Sequence, residues 1–262
     1  MRRQRYTSDL SRKQFKRIEA LLPACTGGGR PRKVELYEVM CAMLYVLQNG
    51  CTWRNLPHDF PAWQTVYGYF RRFQRDGTWE AVNRFLLRRT RRKAGRDPEP
   101  SAGIIDAQSV RCAPQAGIRG VDAGKKTNGR KRHIVVDTLG LLLVVFVTAG
   151  SVQDRVAAPI LLGILAKRFP RLQHLWADGG YAGELVSWAG QALSWVVEIV
   201  KGVAGQRGFV VQPRRWVVER TLAWMTRCRR LSRDYEGIPE TTEAWFYLAN
   251  IRLMVRRLEP AA

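Results

Sequence analysis

The sequence predicts an α/β fold in two parts: an all-α, helix-turn-helix-like domain at residues 1–93, a linker at 94–102, and a mixed-sheet domain at 103–262. Three observations carry this. Up to residue 93, apolar residues recur at helical intervals between breakers. The stretch AGRDPEPSA then concentrates Pro, Gly and Asp. Beyond it, short β-branched runs alternate with helical segments.

In chain order, residues 8–22 open on a polar cap and set Leu10, Phe15, Ile18, Leu21 and Leu22 at helical spacing before Pro23 stops them. GGGRPRK, from Gly27, is a loop. Residues 34–47 form a second amphipathic helix ended by Asn49-Gly50. After breaks at Pro57 and Pro61 a third helix spans 63–75. Trp63, Tyr67 and Phe70 are spaced there as a packing stripe, leaving Arg71, Arg72 and Arg75 as candidates for nucleic-acid contact. A fourth helix, 79–93, ends in RRTRRK.

In the second domain Ile104-Ile105 lead to Asp106 on an apolar strand. HIVVD and LLLVVFVTAG flank Asp137-Thr138-Leu139-Gly140 as a hairpin, which accounts for Asp137 as turn chemistry. A helix at 154–169, with Asp154 as its N-cap, leads to the strand HLWAD ending at Asp178. A helix at 184–192, a strand from Trp195 and a long helix at about 214–233 complete the order β, β, β, α, β, α, β, α. Three meandering strands followed by alternating helices and strands is the winding of a ribonuclease-H-like domain.

The chain carries 44 Lys+Arg against 22 Asp+Glu, a net charge of +22, and such a field draws in polyanions, nucleic acid first among them. Five scattered cysteines without a CxxC pair, and three histidines, argue against a zinc site or a disulfide framework. The apolar run 139–149 is too short to cross a bilayer, and MRRQRYTSDL lacks the apolar stretch of a signal peptide. The expectation is a cytoplasmic, nucleoid-associated protein with no membrane partner.

Cutting a phosphodiester in line needs an activated attacking oxygen and a stabilised leaving oxygen, which two divalent ions about 4 Å apart can provide. Magnesium takes hard oxygen ligands, so carboxylates from separate elements must converge. Asp106 and Asp178 lie on strands that should be neighbours, and Glu219 lies on the last helix. Each has a plainer reading: a strand-end Asp makes turns, and Glu219 can pair with Arg215 four residues earlier. Gly179-Gly180 after Asp178 would let metal and DNA come close. The segment GKKTNGRKRH presents Lys125, Lys126, Arg130, Lys131 and Arg132 as a grip on the DNA backbone.

IIDAQSV, DAGKKTNGRKRHIVVDTLGLLL, WADGGYAG and RRWVVERTLAW followed by RCRRLSRDYE closely resemble the insertion-sequence-5 type of DDE transposases. The likeness extends to CTWRNLPHDFPAWQTVYGYFRRF and ETTEAWFYLANIRLMVRRL, nearly the whole chain. It implies a ribonuclease-H-like core and cleavage at the terminal inverted repeats of a mobile element, followed by strand transfer into target DNA. Asp106, Asp178 and Glu219 inherit the three catalytic and metal-holding places, served by two Mg2+ ions for which Mn2+ substitutes. Double-stranded DNA is the partner. Because two element ends must meet, a homodimer or larger synaptic complex is expected. In the wider superfamily Tyr, Arg, Glu and Lys recur around the last carboxylate. Arg215 and Glu219 fit that pattern, and Arg215 joins the candidate DNA contacts, but Gln212 and Thr226 stand in the Tyr and Lys places. The segment 201–213 is also too short for an inserted subdomain, so how the second strand is cut stays open. Two rival readings share these residues: a DNA-binding regulator with a non-catalytic core, and a nuclease or junction resolvase that cuts without joining.

Overall fold

Ser11, three residues past Ser8, starts the first helix. Its hydroxyl accepts from the Gln14 N–H at 3.1 Å, and the Gln14 side chain accepts from the Ser11 N–H at 2.9 Å. This capping box confines α1 to Arg12–Glu19, narrower than the apolar spacing alone suggests. The computed structural model describes residues 3–23, 34–200 and 214–260. The loop from Gly27, Cys25, Gln212 and the segment 201–213 lie outside the described residues. The chain divides into two compact units, one of Met1–Ala94, Met225–Ser232 and Ala244–Ala262, the other of Gly95–Trp224 and Arg233–Glu243. The first break falls where the linker begins. The two carboxy-terminal segments group with the helical unit, whereas the sequence division placed them in the sheet domain.

In the helical unit, α2 (Leu36–Asn49) ends on Gly50, whose φ of 71° is the left-handed cap that glycine adopts without strain. A 3-10 turn (Trp53–Asn55), α3 (Trp63–Arg75) and α4 (Thr78–Lys93) follow. The buried stripe of α3 is Val66, Phe70 and Phe73, one step round from the expected one, and Tyr67 stays exposed. The core is aromatic. Phe70 stacks on Trp245 with ring centroids 4.2 Å apart, Trp53 stacks on the same indole at 5.5 Å, and Trp79 meets Phe73 edge-on at 5.3 Å.

In the sheet unit the strands are β1 (Ala102–Arg111), β2 (Gly120–Asp122), β3 (Thr127–Asp137), β4 (Leu142–Ala149), β5 (His174–Ala177) and β6 (Val196–Ile199). β1 lies between β3, antiparallel to it, and β5, parallel to it; β6 continues parallel beyond β5, and β3 pairs antiparallel with β4 and, at its first residues, with β2. This is the ribonuclease-H-like winding the element order predicts. β2 is an addition: Gly-Val-Asp is too short to show an alternating pattern. β3 also begins six residues before His133, so GRKRH lies within a strand. Gly129 makes that possible, because a Cβ there would fall 1.9 Å from the Val110 carbonyl oxygen of β1. Helices α5 (Asp154–Arg168) and α6 (Glu184–Leu193) alternate with β5 and β6, and α7 (Trp216–Thr226) follows. The single helix expected at 214–233 is interrupted after Thr226, with α8 (Arg229–Ser232) and α9 (Pro239–Leu258) beyond. Among the described residues no helix is long and apolar enough to cross a membrane.

Candidate carboxylate site and basic residues

The parallel pairing of β1 with β5 runs Ala102 with His174, Gly103 with Leu175 and Ile104 with Trp176. Continued two residues, this register sets Asp106 beside Asp178, where β5 has given way to a 3-10 turn (Gly179–Tyr181). Asp178 caps that turn by accepting from the Gly180 N–H at 2.8 Å. Asp106 accepts from the Ala107 N–H at 2.7 Å. Burial pushes the Asp106 carboxyl up to about 6; the Ala107 N–H opposes this, Asp178 adds to it, and Arg215 and Lys125 oppose it. The two acids therefore share one electrostatic environment.

Glu219 projects from the first turn of α7. The Arg215 guanidinium lies 3.5 Å from its carboxylate and 3.7 Å from that of Asp178. The ion pair four residues back does form, and the same cation also ties Glu219 to the strand-end acid. α7 is docked by Thr221, fully buried, whose hydroxyl donates to the Gly140 carbonyl at 2.9 Å. Gly140, at φ 80°, can make that turn because it has no side chain.

Among the described residues no three acidic, histidine or cysteine side chains converge closely enough to cage a metal ion. The donor set nevertheless suits a hard divalent cation. All three groups are carboxylates, one is half-buried and raised in pKa beside another, and the cation bridging two of them is a side chain rather than a backbone group. Gly179 has open space where a side chain would stand.

The basic residues divide sharply. Arg130 and Arg132, expected to grip DNA, are instead buried in β3 at 0% exposure. Arg130 donates to Asp234 at 3.0 Å and to the carbonyls of Ile118, Glu236 and Gly237, and Arg132 lies 4.0 Å from Asp234. Lys131 is buried between Asp122 at 3.3 Å and Asp154 at 3.2 Å. A strand covered on both faces leaves no cation free for phosphate, and acidic partners distant in sequence make the burial tolerable. Lys125 and Lys126 are exposed, as is Arg75; Arg72 faces Asp76 at 4.0 Å and Arg71 donates to Gln74. Asp137 is turn chemistry as expected, accepting from the Leu139 and Leu141 N–H groups. Asp154 is the first residue of α5 and Gln153 is the N-cap.

Sequence reasoning missed two residues beside the site. Tyr181 is buried, and burial, Asp154, Asp106 and Asp178 together keep its phenol neutral far above the usual range. Its position in GGY directly after Asp178 was the available signal. Asp122 is held near 2 by the Ser109 hydroxyl, with the Lys125 N–H and Lys131 assisting; nothing local marked it.

A mixed sheet of this winding, with one acid midway along its central strand, a second just past the end of the neighbouring strand and a third on a later helix, defines a ribonuclease-H-like protein of the carboxylate-bearing kind. The chain belongs to the DDE transposase family: "Transposase DDE domain" matches residues 97–254, and "Putative transposase of IS4/5 family" matches residues 10–83. It is 29% identical over 164 residues to the "Putative transposase for insertion sequence element IS402" of Burkholderia cepacia, covering 58% of this chain and 76% of that protein. Looser likenesses link it to the Mos1 strand transfer complex, 14% identical over 94% of this chain and 83% of that one with a TM-score of 0.33. The Mos1 mariner paired end complex with Mn is 13% identical over 94% and 84%, with a TM-score of 0.31. The assignment rests on the family match, which implies a transposase that uses a divalent metal.

Proposed function

We propose that this transposase binds the terminal inverted repeats of an insertion sequence, cleaves the phosphodiester bonds at its ends and joins them to target DNA. Asp106, Asp178 and Glu219 would hold two Mg2+ ions, with Mn2+ able to replace them. The chemistry such ions supply when bound is activation of the attacking oxygen and stabilisation of the leaving one. The observation that carries the reading is the electrostatic coupling of Asp106 to Asp178, two residues beyond the last β1–β5 pair, and the tie of Asp178 to Glu219 through the one guanidinium of Arg215. That guanidinium balances the acids until phosphate arrives, then turns to it. Arg71, Arg72 and Arg75 of α3 hold the duplex, and Lys125 and Lys126 hold backbone near the acids. Two copies bring two ends together.

The test uses DNA carrying element ends. Asp106→Ala should still retard that DNA on a gel yet fail to nick it in Mg2+, and precut ends incubated with plasmid should give joined molecules. Undiminished nicking by Asp106→Ala would sink the assignment. Wild-type binding with no cleavage in Mg2+ or Mn2+ would favour the regulator, and cleavage with no joining the nuclease.

A further inference from the structure

Within the basic segment 124–133, Arg130, Lys131 and Arg132 are spent on internal acids, whereas Lys125 is exposed. Its ammonium group reaches from the turn between β2 and β3 back to β1, donating to the Ala107 carbonyl at 2.8 Å, one residue past Asp106. β1 and β5 have parted by this point, the last pair being Ile104 with Trp176, so β5 does not pair with β1 at Ala107. Lys125 is a cation that the Asp106 carboxyl senses; Arg215, which it also senses, is already shared between Asp178 and Glu219.

The lysine is also held from below. Its N–H donates to Asp122 at 3.2 Å, and Asp122 is anchored by the Ser109 hydroxyl at 2.5 Å and by buried Lys131 at 3.3 Å. An ammonium has three protons. One goes to Ala107, leaving two for a further acceptor.

We propose that Lys125 is a catalytic residue, donating to a non-bridging oxygen of the scissile phosphate. The inference rests on the carboxylate reading of the site and adds to it the group that neutralises the phosphoryl oxygens. In the transfer, the bond from phosphorus to the attacking oxygen forms as the bond to the departing 3′ oxygen breaks. The attacking oxygen's proton passes to solvent and the departing oxygen takes one up. Lys125 keeps its proton throughout and stabilises charge that grows on the non-bridging oxygens.

The experiment measures single-turnover cleavage of end DNA at saturating protein in Mg2+, with either a normal phosphate or a neutral methylphosphonate at the cut position. Lys125→Ala should slow cleavage of normal DNA about 100-fold, with end binding changed less than about 3-fold. Lys125→Gln, which keeps a donor towards Ala107 without the charge, should be equally slow, and Lys125→Arg should recover part of the rate. The methylphosphonate penalty should be large in wild type and shrink about 10-fold or more in Lys125→Ala, because the partner charge is already gone. A Lys125→Ala rate within about 3-fold of wild type, or equal methylphosphonate penalties in the two proteins, overturns the proposal while leaving the carboxylate reading standing. Wild-type nicking by Asp106→Ala removes that reading and this inference with it.

Discussion

Replacing Asp234 with Ala should nearly unfold the sheet unit. Asp234 is fully buried and accepts from Arg130 at 3.0 Å, from the Glu236 N–H at 3.1 Å and from the Thr242 hydroxyl at 2.9 Å. It is also the largest influence opposing the burial that drives the Arg132 guanidinium down. Its removal takes the carboxylate closest to two buried guanidinium groups out of the interior. Breaking a buried pair from one side costs roughly 3–5 kcal/mol. The N–H and hydroxyl lose their acceptor in the same step, and because all three donors share one carboxylate their costs overlap rather than add. A loss of about 4–5 kcal/mol is expected, comparable with the whole stability of a marginal domain. Urea titration followed by far-ultraviolet circular dichroism should therefore move the midpoint down by about 1.5 M, taking a slope of about 3 kcal/mol/M for a chain of this size. Asp234→Asn, which keeps an acceptor oxygen, should lose about half as much. Asp97→Ala serves as the control, since its ion pair with Arg171 has both side chains half exposed and such pairs contribute about 0–1 kcal/mol. If Asp234→Ala and Asp97→Ala shift the midpoint equally, the buried-pair reasoning is wrong, and with it the reassignment of Arg130 and Arg132 from DNA to the interior.

Three further outcomes are expected. His133 is held down to about 4 by burial, with Lys131 and Lys125 adding to the effect; its Nε2 lies 3.0 Å from the Thr148 hydroxyl and its Nδ1 3.8 Å from Asp154. Because the folded pKa is depressed, its contribution of about 3 kcal/mol is complete above the unfolded value near 6.5 and fades as pH falls towards 4. Stability of wild type minus that of His133→Phe should decline across that window, and a flat difference would refute the burial argument. Gly129→Ala should cost about 3 kcal/mol, since its Cβ would sit 1.9 Å from the Val110 oxygen, whereas Gly163→Ala, in α5 with nothing within 4 Å, should gain about 0.5–1 kcal/mol; thermal melts that rank the two variants the other way would contradict the packing. Removing Arg71, Arg72 and Arg75 together should lower the slope of log affinity for end DNA against log salt by about 0.9 per lost phosphate contact, and an unchanged slope would take α3 out of the interface.

What could be read from the residues was what local chemistry decides. The left-handed stop at Gly50, the hairpin turn around Asp137, and the placing of Asp106 on a strand and of Asp178 at the close of another each depend on neighbours a few positions away, and each is within a residue of where the pattern set it. The break in the helix after Thr226 and the three-residue β2 depend on tertiary contacts and leave no periodic trace. The misreading of GRKRH is the most instructive. A run of cations reads as solvated because isolated charge is costly to bury. Here each buried cation is matched by an acid that the fold brings in, Asp234 about a hundred residues on for Arg130 and Arg132, Asp122 and Asp154 for Lys131. Charge counted along a chain therefore overstates the field that DNA would feel. Within 124–133 only Lys125 and Lys126 remain at the surface, and of these Lys125 alone is fastened to the strand that carries Asp106. The formal +22 would draw nucleic acid in from a distance, but on the proposed reading contact beside the three carboxylates falls to very few cations. Removing one of those should damage chemistry far more than attraction.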